Sequence, residues 1–134
     1  MDPERVIEDA RSVCSDLRGL FEQPGGPDNP EEVERLCEIA CLVIEDPRCR
    51  NEVREVRRYA GFLLCGDHRR WARGTISGPV LLCRLILDLL RAIDIRLASL
   101  ALRKRVVRAR QHARLNCFEV TRPRVRAWRA IVLR

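Results

Sequence analysis

Four residues carry the donor types of a tetrahedral zinc site: Cys37 and Cys41, four positions apart, and Cys65 with His68 in a Cys-x-x-His arrangement. Thiolate and imidazole ligation there would pin two helices together. Packing competes for the same residues. Cys37 and Cys41 fall within an apolar stripe, where a small thiol is ordinary core, and a Cys-x-x-x-Cys spacing is a looser signature than paired Cys-x-x-Cys knuckles. Packing is the stronger reading, so neither a metal nor any other cofactor is assigned. Acid–base chemistry has little to draw on, because His68 and His112 are the only imidazoles. The sequence has no Gly-x-Ser-x-Gly elbow, phosphate-binding loop, Gly-x-Gly-x-x-Gly turn or His-Glu-x-x-His pair. A non-enzymatic protein is expected.

The Arg-rich segments offer more. Arg103, Lys104, Arg105, Arg108, Arg110 and Arg114 crowd one stretch beside His112, and Arg122, Arg124, Arg126 and Arg129 surround Trp128 near the C-terminus. Guanidinium groups bind phosphate or carboxylate oxygens in a bidentate way, and an indole among them could stack on a nucleobase. These eleven residues are the candidate surface for a protein partner or for RNA or DNA. The bland alternative is a solvated helix end and a core Trp. The cluster at Arg103, Lys104 and Arg105 also fits an import receptor's acidic groove.

Charge is distributed unevenly. Residues 1–66 carry 15 acidic and 9 basic groups, net −6, and residues 67–134 carry 4 acidic and 17 basic, net +13. A basic end of that strength attracts phosphate backbones, acidic proteins or anionic lipid. Of 26 basic residues only Lys104 is Lys. A GC-rich or overlapping reading frame produces such a bias, and with the compact length it suggests a viral accessory protein acting on a host. Seven Cys, an odd number, sit mostly among apolar neighbours. Met1 to Asp16 is acidic and amphipathic rather than leader-like, so reduced thiols in cytoplasm or nucleus are expected.

The elements that must position these residues read as helices. Aromatics make up only 4% of the chain, so its core is aliphatic, which suits helix-on-helix packing. Asp2 with Pro3, Asn29 with Pro30 and Asp46 with Pro47 each place a capping side chain before a proline. The first helix spans about 3–22, with Val6, Ala10, Val13, Cys14, Leu17, Leu20 and Phe21 as its stripe. Val33, Leu36, Cys37, Ala40, Cys41, Val43 and Ile44 form the second stripe; Val53, Val56, Ala60, Leu63 and Leu64 form the third, ending at Gly66. After a connector at 67–79, no Gly or Pro interrupts the chain until Pro123.

A long helix is therefore predicted over 80–115, ending in the Arg-rich segment, with a basic tail at 116–134. The tail reads as a strand and short helix or a hairpin about Pro123. Arg84, Asp88, Arg91, Asp94 and Arg96 interrupt the apolar run, and each costs about 2.5–3.5 kcal/mol near a bilayer centre, which argues against spanning a membrane. The expected architecture is a single all-α domain: an acidic helical region at 1–66 packed on the long central helix. So much of 80–102 is apolar that self-association is expected too. The functional expectation is a regulatory adaptor that binds another protein through helix surface and basic residues. Sequence-independent RNA or DNA binding is the alternative.

Overall fold

Three helices begin alike because the same residue pair starts each. Asp2, Asn29 and Asp46 take extended backbone before a proline, and their side-chain oxygens accept hydrogen bonds from the first-turn N–H groups of Glu4 (3.1 Å), Glu31 (3.0 Å) and Cys49 (3.0 Å). Proline loses nothing at a position whose N–H has no partner inside the helix, and its fixed φ is already helical. The resulting elements are α1 (Pro3–Glu22), α2 (Pro30–Val43) and α3 (Pro47–Leu64). Cys65 caps α3 by donating its N–H to the Gly61 carbonyl, and Gly66 follows at φ 77°, the left-handed conformation that closes many helices.

The computed structural model describes residues 2–66 and 72–132, those from 117 onward as helical backbone alone. Arg73 and Ile76 exchange backbone hydrogen bonds (3.0 and 2.9 Å) across a tight turn in which Gly74 takes φ 59°. Ser77 then receives the first N–H groups of α4 (Gly78–Val132), its hydroxyl accepting from Val80 and its carbonyl from Leu81. No Gly or Pro between Pro79 and Pro123 supplies a stop, and the basic tail continues the helix through Pro123 to Val132, where a strand with a short helix or a hairpin was expected.

Contacts divide the chain into two compact units, Met1–Ala101 and Leu102–Arg134. In the first, α1, α2 and α3 each pack against α4, giving the expected helical architecture. Leu82, Ile86, Leu90, Ile93, Leu97 and Ala101 recur at three- and four-residue steps, so they share one face of α4, and all are buried. From Ile86 to Ala101 they join one core with Ala10, Cys14, Leu17 and Phe21 of α1, Val33, Leu36, Cys37 and Ala40 of α2, and Cys49, Val53, Val56 and Ala60 of α3. Ile7 is buried where the periodicity had placed Val6, and Val6 is only half-buried. Each fully buried aliphatic side chain contributes about 1.5–3 kcal/mol relative to exposure.

The three short helices cover more of α4 than the sequence suggests. Cys83, Leu87, Leu89 and Leu100 are half-buried against the core, leaving Val80 and Ile95 as the exposed large apolar residues of α4 within Met1–Ala101. The excess of uncovered apolar surface invoked for self-association is therefore not found there. Arg84, Asp88 and Arg91 lie exposed together, as their spacing predicts. Among the described residues, no helix is long and apolar enough to cross a membrane.

Candidate binding surface

Within Met1–Ala101 several charges pair across helices. Asp94 of α4 accepts from Arg11 of α1 at 3.0 Å, with Arg18 at 4.0 Å, and Arg57 of α3 pairs with Glu34 of α2. The Asp46 carboxylate joins two tasks: it caps α3 and it receives a two-pronged contact from Arg96 of α4, at 2.7 and 3.1 Å. That guanidinium holds the Asp46 carboxyl well below the usual carboxylate range. Arg50 folds back to donate to the Ile44 carbonyl, so the α2–α3 junction is tied at both ends. Sequence reasoning identified Asp46 as a cap but not its ion pair, since its partner lies 50 positions away.

Three cysteines of this unit serve packing. Cys14, Cys37 and Cys49 are buried, and burial pushes each thiol up to about 12, which keeps it protonated. Cys41 is half-buried and Cys65 exposed. His68 lies outside the described residues, and among those described no group of three or more His, Cys, Asp or Glu is placed to hold a metal ion. A 450 Å³ groove between α2 and α3 is lined by Glu31, Glu34 and Glu38 together with Arg35 and Arg57, so it presents no unbalanced field of one sign.

The second unit is built differently. Leu102–Arg134 carries 11 basic residues and 1 acidic, net +10, whereas Met1–Ala101 carries 15 basic and 18 acidic, net −3. Every side chain from Leu102 to Asn116 is exposed, including Arg103, Lys104, Arg105, Arg108, Arg110 and Arg114. Among the described residues no salt bridge joins Arg103, Lys104, Arg110 or Arg114 to a carboxylate. The backbone at 122–129 is helical, but the side chains of Arg122, Arg124, Arg126, Trp128 and Arg129 lie outside the described residues.

Helical geometry sorts the exposed residues into stripes. At 3.6 residues per turn, Leu102, Val106, Ala109 and Ala113 fall on one narrow apolar strip. Arg103, Arg110 and Arg114 line one side of it; Arg105 and His112 line the other. Lys104 and Arg108, one turn apart, occupy roughly the opposite side of the helix. Leu102 is 61% and Val106 41% exposed one turn apart on this strip, while the exposed Val107 and Leu115 lie off it. The sequence singled out the basic residues; the strip between them escaped notice because the Arg run dominates the composition. Compared with protein-family models, curated proteins and solved structures, the chain matches none.

Proposed function

We propose that the chain is a non-catalytic regulatory adaptor that binds another protein through the 102–116 surface of α4. The single observation behind this reading is the exposed apolar strip at Leu102 and Val106 between two rows of basic side chains. Guanidinium groups alone need no apolar neighbours to hold phosphate, whereas protein interfaces combine an apolar centre with a charged rim. Met1–Ala101 serves as the folded scaffold for this surface. Self-association is the less supported reading, because the apolar face of α4 within Met1–Ala101 is largely covered.

Capture from a eukaryotic cell extract tests this proposal, using the full chain and a Leu102→Asp/Val106→Asp variant checked for native helicity. Protein captured after nuclease treatment and lost with the variant is the expected result. Capture that disappears with nuclease, or that the variant retains in full, would overturn it. Sequence-independent RNA or DNA binding is favoured by one observation, the placement of Lys104 and Arg108 away from the strip. That reading calls for a log–log salt slope of roughly −4 to −5 if about five basic groups engage a duplex.

A further inference from the structure

The strip on residues 102–116 has a register, and the register selects a partner. Leu102, Val106, Ala109 and Ala113 follow one another at steps of four, three and four. This is the spacing of the two apolar positions in a coiled-coil heptad. In that register Arg103 and Arg110 take the flanking position after Leu102 and Ala109, and Arg105 and His112 take the flanking position before Val106 and Ala113. Val107 and Leu115 fall outside the seam. All four flanking residues are exposed, and three of them are Arg.

We infer that this segment pairs with an acidic amphipathic helix of another protein, one with an apolar seam flanked by Glu or Asp. The inference rests on the adaptor reading above and adds the chemistry of the partner. Flanking residues of a coiled coil meet across the seam in either orientation. A second copy of this segment would set Arg against Arg whether parallel or antiparallel, so like charge opposes self-pairing. An acidic helix turns the same contacts into charge-assisted hydrogen bonds, bidentate where a carboxylate meets a guanidinium. Ala109 and Ala113 allow the partner backbone close approach, so the complementary side chains there are large. The exposed Leu102 and Val106 become buried in such a pair, which phosphate binding would leave in water.

The test is a titration of the full chain, followed by fluorescence anisotropy, against two labelled designed helices. Both carry Leu and Val in the seam; one has Glu and the other Lys at the flanking positions. Saturable binding of the Glu helix is expected, with at least about tenfold weaker binding of the Lys helix. Two variants separate the mechanisms. Arg103→Glu/Arg110→Glu is expected to invert the preference between the two helices. Val106→Asp is expected to weaken Glu-helix binding by about tenfold or more, the scale of losing one buried apolar anchor. All three positions are exposed, and circular dichroism checks that each variant stays folded. Equal binding of both helices, no binding of either, or Val106→Asp binding the Glu helix like the parent would overturn the inference. If nuclease-resistant, Val106-dependent capture persists while the Glu helix fails, the adaptor reading stands and the acidic-helix partner falls. If only a nucleic-acid duplex binds, both fall.

Discussion

Residues up to Ala101 and residues from Leu102 onward contain similar ingredients, aliphatic side chains and Arg, arranged to opposite ends. In the first unit the aliphatic residues of α4 recur on one face and meet three other helices, while Arg11, Arg57 and Arg96 are matched to carboxylates on neighbouring elements. In the second, Leu102 and Val106 continue at helical spacing but are exposed, and the composition turns basic, 11 basic residues against 1 acidic. Periodicity alone therefore does not mark a core. The same repeat is a core where other amphipathic helices cover it, and under the adaptor proposal it is a docking surface where it stays exposed.

Truncating one residue from each region should separate the two most widely. Leu90→Ala removes a fully buried side chain and is expected to cost about 2–5 kcal/mol in urea unfolding. Val106→Ala, on the exposed strip, is expected to stay within about 0.5 kcal/mol. Comparable losses at the two sites would mean that 102–116 is packed after all.

Next in size is Asp46. Replacing it by Ala removes the cap of α3 and is expected to cost about 1–2 kcal/mol. Asp46→Asn keeps a capping oxygen and loses the charge, so its cost should be smaller. The carboxyl is held low in the folded state, so its contribution is present above the ordinary Asp pKa of about 3.9 and is lost as pH falls below it. Urea unfolding at pH 7 and pH 3 should therefore show the gap between parent and Asp46→Asn narrowing at the lower pH. A gap that widens there would contradict the assigned role.

Gly26→Ala tests the loop between α1 and α2. Gly26 takes φ 82°, and an added Cβ would lie 3.6 Å from the Cys83 sulfur, an ordinary contact, so backbone strain rather than a clash sets the effect. A loss of about 1 kcal/mol in thermal or urea unfolding is expected.

The smallest effect is chemical rather than energetic. Cys65 is exposed, whereas Cys14, Cys37 and Cys49 are buried and held as thiols. A thiol reagent at neutral pH should modify Cys65 in the native protein and reach the other three only with unfolding, as mass spectrometry of the labelled peptides would show.

Much of the fold was legible because its signals are local. The pairs Asp2–Pro3, Asn29–Pro30 and Asp46–Pro47 fix three helix starts through chemistry contained within a few residues, and the stripes of α2 and α3 follow from helical spacing. What escaped was non-local. The Asp46–Arg96 and Arg11–Asp94 pairs join residues 50 and 83 positions apart, and nothing in either neighbourhood names the other. Arg96 and Asp94 appeared only as charges interrupting an apolar run. The candidate surface was half legible: the basic residues were plain, but the apolar strip they flank gains meaning only when burial separates it from the core face of the same helix.

Hydrogen exchange with mass spectrometry on the full chain, free and with the Glu-flanked helix, would locate the docking surface. New protection confined to peptides covering 102–116, with those covering 82–101 unchanged, is the expected result. Unchanged exchange at 102–116, or protection centred instead on α2 and α3, would contradict it.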